Sequence, residues 1–450
     1  MKGTAPGPLA GERFHLLGIA GRGMAPLAVA ARHLGAEVDG CDRAGVAEIH
    51  DFLVSAGITY ARDHDVSHVH EGTTHVATSV ATSDLPEMAA VGARCWHRSD
   101  LLARVLSARP SLGVTGSHGK GTVATLTTGA LARAGLDPLA VLGILVHDFD
   151  GMARLGSGPV VAEVDDSDLS LARVTTDVAV VTNLDEDHPH LDISLRAAVQ
   201  GVGEYVAKAR DRVVLGPSPR AAALAAVAEA PVWTYGRDFR GRTVSARAGE
   251  TVLDLNGPGG ERERAVVRLL GPRTNVNAAL AFVSALALGA EPAAAAAGLG
   301  DIGAMSRRLQ HLGSPGGVHV FDDFGGKHPI AVREGIRALR AHYPSARITA
   351  VLEPYGPYLS RWGRRYARAL GHADRVVLAP AVFHADYDAG RPFDEGWVKS
   401  CRVEPVLARD RDDAAAVACR LSEPGDVIVF FAQIHSAREM AEGLVAGAAR

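Results

Sequence analysis

Residues 113–124 read GVTGSHGKGTVA, and this stretch decides how the chain is organised. An apolar run, SLGV (111–114), enters a glycine-rich bend, a lysine follows, and the helical pattern TVATLTTGALARAG (122–135) leaves it. The common phosphate-binding loop has the form G-x-x-x-x-G-K-[ST]. Here Val114 stands where its first glycine would be, Gly121 follows Lys120, and the hydroxyl arrives one residue late, at Thr122. Glycines let a backbone approach a phosphate closely, and free N–H groups at a helix start attract anions. Gly116, Ser117, His118, Gly119, Lys120, Gly121 and Thr122 are therefore the candidate nucleotide-phosphate loop. Lys120 would pair with the β- and γ-phosphates and Thr122 would reach Mg²⁺. The alternative is an ordinary glycine-rich turn between strand and helix.

Two acidic segments follow, each at the end of an apolar run, where α/β sheets place their ligands. In VVAEVDDSD (160–168), Glu163 lies nearest the strand and is the better ligand for a hard Mg²⁺ ion. Asp166 and Asp168 fit a solvated, helix-capping loop equally well. In VVTNLDEDHPHLD (180–192), two histidines beside four carboxylates point to a metal or phosphate site. Zinc fits that composition too, but a phosphate loop upstream favours Mg²⁺.

Further out, the chain alternates short apolar runs with helical patterns, which predicts parallel α/β sheets. FHLLGIAGRGMAPLAVAARHLGAEVDGCD (14–42) reads as strand, glycine turn, helix and second strand. A dinucleotide-binding turn is a weak alternative there. Its loop is G-x-x-G-x-G, and Asp42 alone satisfies the ribose spacing. Four more apolar runs, VHVFDDF, ARITAVLEP, RVVLAP and DVIVFFA, form a third unit. LSLARV is expected to be helical, as is the alanine-rich stretch from about 275 to 298; residues 234–269 are expected to form short strands with turns. Three α/β domains are expected: residues 1–108, Rossmann-like; 109–300, ATPase-like; and 301–450, a Rossmann-like doubly wound sheet.

Composition excludes several classes. With 47 basic against 51 acidic residues the net charge is −4, which speaks against a general nucleic-acid or membrane-surface binder. The four cysteines, Cys41, Cys95, Cys401 and Cys419, form no C-x-x-C pair, which argues against a zinc site or a disulfide framework. No apolar run is long enough for a membrane span or a signal peptide, so a cytoplasmic enzyme, monomer or homodimer, is expected.

GSHGKGT, then AEVDDSD, then TNLDEDH, in that order, resembles the ATPase domain of the Mur ligase family, with folylpolyglutamate synthases as relatives. That family's loop has the short G-x-x-G-K form, which accounts for Val114, and the lysine-glycine-threonine ending is similar to the folylpolyglutamate version. The N-terminal segment, WHRSDLLARVL (96–106), GPRTNVNAALAF (271–282) and RRLQHLGSPGGVHVFDDFGGKHP (307–329) extend the likeness over the whole chain. They are similar to the branch acting on UDP-N-acetylmuramate and an amino acid. The resemblance implies an ATP- and Mg²⁺-dependent ligase that joins an amino acid to a carboxylate through an acyl phosphate, in peptidoglycan or specialised-metabolite synthesis. A non-catalytic ATP-binding paralogue is the alternative, and the retained Lys120, Thr122, Glu163 and His188 speak against it.

By motif match, Lys120, Glu163 and His188 are implied to be catalytic. Thr122 and Glu163 would hold one Mg²⁺, and His188 the second, with His190 an alternative because the family's H-L-D appears two residues late, at His190–Asp192. Asn277 would meet the adenine, while Arg307 or Arg308 and Asp323 would come from the last domain, closing over a hinge near residue 300. Gly18, Gly21, Gly23 and Asp42 stand where the family approaches uridine diphosphate, and Arg22 adds a cation beside it; a scaffold role for this unit stays open. Lys327, His328 and Arg361 fall on the amino-acid side. There the sequence departs from the family: Lys327 replaces a histidine, Arg361 is a loose match in EPYGPYLSR, and Arg273–Thr274 replace a His–Asn pair.

Overall fold

The computed structural model describes residues 7–43, 45–79, 82, 84–149, 151–187, 193–247, 249–271, 273–303, 308–323, 328–383, 386–391 and 395–432. His188, His190, Asp192, Arg307 and Lys327 lie outside the described residues.

Three separate α/β sheets follow one another along the chain. The first has four parallel strands in the order Glu37–Cys41, Arg13–Leu17, His75–Thr78, Cys95–His97. The helix Ala25–His33 crosses between its first two strands, and Arg98–Leu106 follows its last. That last helix starts on a capping box, in which His97 accepts from Ser99 N and the Asp100 carboxylate accepts from His97 N.

The second sheet has seven strands, in the order Val232–Thr234, Arg212–Leu215, Val178–Val181, Ser111–Thr115, Val160–Glu163, Leu139–Val146, Gly151–Arg154. Only the last is antiparallel to its neighbour. From Ser111–Thr115 the chain first builds the sheet to one side, then returns and builds to the other. The order reverses at that strand, and the crevice above its C-terminal end is where open α/β sheets bind ligands. The candidate phosphate loop leaves from that end.

A three-stranded antiparallel sheet, Arg240–Arg247, Glu250–Asn256 and Arg262–Val267, comes next, as the polar, turn-rich sequence leads one to expect. The alanine-rich region forms two helices, Thr274–Ala287 and Pro292–Gly298. Ala278, Ala279, Ala281, Ala285, Ala295 and Ala296 are buried and let the helices approach Lys120–Arg133 closely. A methyl at Gly129 would sit 2.8 Å from the carbonyl of Gly298. The third sheet has six strands, ordered Gln310–Gly313, His319–Asp322, Val427–Ala432, Ile348–Glu353, Arg375–Leu378, Val406–Leu407, the first antiparallel and the rest parallel.

Two local features differ from the sequence expectation. LSLARV is not an α-helix: only Ser170–Arg173 turns, as a 3₁₀ segment entered through Leu169 at φ +61°. The hairpin Leu139–Val146 and Gly151–Arg154 gives no alternating signal, because Leu139–Leu142 is buried on both faces.

The first two sheets share one continuous apolar core, in which Ile49, Phe52 and Leu53 pack with Val141, Met152 and Ala153. The third has its own, built around Phe321, Ile336, Leu352 and Phe431. The N-terminal and central units are thus fused by burial, and the C-terminal unit keeps a separate core.

Within the central sheet, Gly113 is a close-approach position. Tyr205 is fully buried beneath it and donates to the Gly113 carbonyl at 2.9 Å, with Thr176 Oγ1 at 3.1 Å. A methyl at residue 113 would lie 2.3 Å from Tyr205 Oη and 2.8 Å from Val164 Cγ2. Gly113→Ala is expected to destabilise the central unit by about 1–3 kcal/mol. Combining it with Tyr205→Phe, which removes the closest clashing atom, should cost less than the sum of the two changes. Denaturant melts of the four proteins check this.

Candidate active site

The phosphate loop is built on two left-handed glycines, Gly116 at φ +120° and Gly119 at φ +87°, which side chains with a Cβ rarely tolerate. Space enforces the same choice at Gly116, where a methyl would lie 2.5 Å from Thr182 Oγ1. The loop is sewn to the end of the neighbouring strand. Ser117 N donates to Asn183 O at 3.1 Å and Asp185 N donates to Ser117 Oγ at 2.8 Å. His118 N donates to Asn183 Oδ1 at 3.0 Å, and His118 O accepts from Asn183 Nδ2 and Thr182 Oγ1, each at 2.7 Å. Sequence reasoning had no means of assigning Thr182 and Asn183 this clamping role, because their partners lie about 65 residues upstream.

Lys120 opens the helix Lys120–Arg133, and its Nζ donates at 2.8 Å both to Gly116 O and to Asp166 Oδ1. Burial opposes its charge, but Asp166, Asp165 and Glu163 outweigh that and raise its pKa. Glu163 faces the loop from the adjacent strand and accepts from Gly143 N at 3.2 Å. Burial raises its pKa, against the pull of Lys120. Gly121 is small because a methyl there would lie 3.0 Å from Glu163 Oε2. Thr122 follows in the same first turn, half-buried.

The two aspartates left open by the sequence now separate. Asp166 is Lys120's partner. Asp168 accepts from Ser170 N at 2.9 Å and faces His97 Nε2 at 3.4 Å; these bonds, against its own burial, keep it well below the usual carboxylate range, and it holds the chain turn.

Asn277, near the start of Thr274–Ala287, lies against the loop, its Oδ1 3.0 Å from where a Gly119 methyl would be. Across the cleft, His328 caps the helix Pro329–His342 and its ring lies 5.1 Å from that of His118. Burial holds both rings below the ordinary histidine pKa, His118 down to about 3. Trp362 packs edge-on to His328 at 4.4 Å. Tyr358 donates to Asp187 at 2.8 Å and Arg361 Nε to Glu186 at 3.0 Å. The C-terminal unit therefore meets the site through polar and aromatic contacts, and Arg361 reaches the acidic segment. Tyr358 and Trp362 were missed in the sequence, although Tyr358, Arg361 and Trp362 share one stretch at near-helical spacing.

Asp323 is buried, and burial raises its pKa to about 7 despite Arg308 nearby. Arg308 also lowers Glu163, so one guanidinium faces carboxylates from both units. A narrow cleft lined by Asp166, Asp185, Glu186 and Asp187 opens beside the loop. The broader depression, of about 910 Å³ and lined by Thr175, Lys208 and Arg210, lies at the opposite, N-terminal ends of the strands.

In the N-terminal unit, Gly18 turns at φ +71°, and Ala20 N donates to Asp42 Oδ2 at 3.0 Å, so Asp42 fixes the loop that carries Gly21, Arg22 and Gly23. A methyl at Gly23 would lie 3.3 Å from Arg98 Cδ, and Arg98 donates to Asp165 at 3.3 Å. Arg98 thus runs from the N-terminal glycine loop to the acidic segment beside Lys120. The sequence displays it only as one arginine among many.

Asp323 also sets a pH dependence. Its folded pKa of about 7 lies above the carboxylate's ordinary value, so the folded chain binds the extra proton. The stability this contributes is full below about pH 4 and is lost as pH rises through 7, by at most about 1.4 kcal/mol per pH unit. Asp323→Asn should remove that fall. Thermal midpoints of both proteins between pH 4 and 8 check it.

Comparison with known proteins agrees along the chain. Residues 13–109 match the family model described as Mur ligase family, catalytic domain; residues 114–285 the Mur ligase middle domain; and residues 307–434 the Mur ligase, glutamate ligase domain. The UDP-N-acetylmuramate–L-alanine ligase of Kineococcus radiotolerans is 36% identical over 439 residues, covering 93% of this chain and 92% of that protein. A Synechococcus protein of the same name is 30% identical, covering 93% and 88%. Among solved structures, the UDP-N-acetylmuramate–alanine ligase of Thermotoga maritima aligns with a TM-score of 0.80 at 20% identity, over 97% of this chain and 99% of that one. A folylpolyglutamate synthase of Mycobacterium tuberculosis aligns at 0.62 and 18% identity, over 77% and 93%. With a relative this similar over nearly its full length, the chain belongs to the Mur ligase family and is an ATP-dependent ligase that forms an amide between a carboxylate and an amine.

Proposed function

We propose that the chain joins an amino acid, L-alanine in the first instance, to the carboxylate of UDP-N-acetylmuramate. The 36% identical relative supports this, since its name states that pair of substrates. The observation that carries it is that Arg98 lies between the two loops: its stem packs beside Gly23 of the loop that Asp42 fixes, and its guanidinium donates to Asp165, whose charge acts on Lys120. A nucleotide-sugar held by the first loop would extend its carboxylate toward the ATP loop past Arg98.

ATP fits the loop. Gly116 and Gly119 form a cradle that side chains would fill, and the first helical N–H groups and Lys120 supply positive charge there. Lys120 would leave Asp166 for the transferred phosphoryl group. The substrate carboxylate oxygen attacks the γ-phosphorus and ADP leaves; the amine nitrogen then attacks the acyl carbon, its proton goes to solvent, and phosphate leaves. Lys120 stabilises the charge that grows on the phosphoryl oxygens. Thr122, Glu163 and His188 are the proposed Mg²⁺ ligands, and the carboxylates already gathered opposite Lys120 fit that role. When bound, Mg²⁺ neutralises phosphate charge. Asn277 would position the adenine, with Arg308 and Asp323 adding contacts from the C-terminal unit. Lys327, His328 and Arg361 are proposed on the amine side. Domain limits near residues 108 and 300 are proposed as well, the second as the hinge of closure.

A specialised analogue of this substrate pair is favoured by one observation: the amine side departs from the family pattern at Lys327 and Arg361 while the N-terminal loop keeps Gly18, Gly21, Gly23 and Asp42. The test is ADP release with UDP-N-acetylmuramate and L-alanine, each omitted in turn, and mass detection of the amide. Release that requires both establishes the pair. A chain that binds ATP and releases no ADP with them overturns this pair in favour of another.

Lys120→Ala is expected to lower turnover by roughly 10²–10³-fold or more, the scale of losing one preorganised charge partner. Tyr358→Phe combined with Arg361→Ala, which severs both ties to Glu186 and Asp187, should lower kcat by about tenfold and leave ATP affinity of the loop within about twofold. Steady-state kinetics and nucleotide titration separate the two effects.

A further inference from the structure

Outside the ATP site, the N-terminal sheet buries a second cluster of reactive side chains. Cys41 ends the strand Glu37–Cys41 and is fully buried. Its Sγ lies 3.1 Å from Glu87 Oε1, 3.3 Å from His64 Nδ1 and 3.5 Å from His15 Nε2. His64 Nδ1 is itself 2.9 Å from Glu87 Oε1. His68 belongs to the same group: its donor atom lies within 4.8 Å of those of Cys41 and Glu87. These residues come from four segments, residues 15, 41, 64–68 and 87.

A hydrogen-bond network would account for part of this. It leaves two donor atoms over. Glu87 is 0% exposed, yet its Oε2 has no hydrogen-bond partner among the described residues. His68 Nδ1 is likewise shut from solvent without a partner, while Asp63 stands 3.5 Å from its other nitrogen. A carboxylate beside one imidazole nitrogen, with the other nitrogen left buried and unpartnered, suits the outer arrangement around a metal-bound histidine, although Asp63 at 3.5 Å neighbours the ring without bonding it. His15 repeats it, with Asp39 at 2.6 Å on Nδ1 and Nε2 toward Cys41.

We propose that Cys41, His68 and Glu87 hold a zinc ion beneath the N-terminal glycine loop, with His64, already against Cys41 and Glu87, turning in as the fourth ligand and His15 beside it. The donor set selects the metal. One thiolate, two imidazoles and a carboxylate suit Zn²⁺, whereas Mg²⁺ takes oxygen ligands. The charge closes as well. Binding releases the Cys41 thiol proton to solvent, and the thiolate and the Glu87 carboxylate then balance the ion's two positive charges. Separations of 2.9–3.3 Å among Sγ, Nδ1 and Oε1 are up to about half an ångström shorter than the edges of a tetrahedral zinc shell with bonds of about 2.0–2.3 Å. The side chains would therefore open slightly around the ion. Its role is structural: Cys41 directly precedes Asp42, whose carboxylate fixes the glycine loop. The four cysteines' spacing argued against zinc, because only one of them takes part and its co-ligands are distant in sequence.

The test uses the full chain without a polyhistidine tag. Elemental analysis after gel filtration in metal-free buffer should find about one zinc per chain. Chelation followed by Co²⁺ should produce a thiolate-to-cobalt charge-transfer band, which no ion at the carboxylate-rich ATP site can give. Cys41→Ser should abolish the band, and Cys95→Ser, at an exposed cysteine, should keep it. If Cys41→Ser fails to fold, His68→Gln serves instead, with an expected loss of Co²⁺ affinity of at least about tenfold. Chain purified without zinc that takes up Co²⁺ with no thiolate band overturns the site.

Discussion

Much of the site depends on one buried cation. Lys120 leaves only 12% of its side chain exposed, and Asp166, its partner, 7%. Removing two charges from water costs several kcal/mol per ion, and a partner lost from such a pair leaves a penalty of about 3–5 kcal/mol. The surrounding chain is arranged to hold the pair. Glu163 and Asp165 add negative charge to keep the ammonium protonated, and Gly116 supplies a carbonyl because its left-handed turn points it at Nζ. The same arrangement suits a nucleotide, since phosphate oxygens replace one set of anionic partners by another. Little desolvation is then left to be met at the moment of binding.

Much of this was legible because it is local. The glycines, Lys120 and Thr122 sit within one strand–turn–helix unit, and their spacing alone points to a phosphate. Asp42 stood out by its spacing from Gly18, but as a substrate contact; that it fixes the glycine loop through Ala20 N was not legible. The three α/β units could be read from alternating apolar runs, whereas the hairpin at residues 139–154 escaped because its first strand is buried on both faces. Partners that come from distant segments left no pattern: Asp166 looked the same as Asp168 until Lys120 chose between them. Arg98, Tyr358 and Cys41 are in the same position, each acting through a residue at least 23 positions away.

The way the units are joined follows from what each buries. The N-terminal helix Ala47–Ser55 sets Phe52 against Gly151, where a methyl would lie 2.3 Å from the ring, so these two units share apolar surface that cannot be exposed cheaply. Around the site the C-terminal unit offers the central one mainly hydroxyl, guanidinium and ring contacts, with Leu270 packed on its core away from them. Such contacts exchange with water at small net cost, which makes this joint, rather than the other, the one that suits the proposed hinge of closure. A ligase that must admit three substrates and then exclude water has use for one joint of each kind.

The two facing histidines fit that joint. Charged imidazoles 5.1 Å apart would repel, and the repulsion would act on the surface that has to close. Burial prevents it by holding both rings neutral, although Asp187 pulls each toward protonation. When the C-terminal unit withdraws, burial is lost and Asp187 is released from Tyr358. On His118 both changes would favour taking up a proton, whereas His328 would also leave the carboxylates of Asp185, Glu186 and Asp187 that pull it toward protonation. If the proposed hinge near residue 300 opens this joint, closure would be linked to deprotonation of His118, and low pH would favour the open arrangement through that ring.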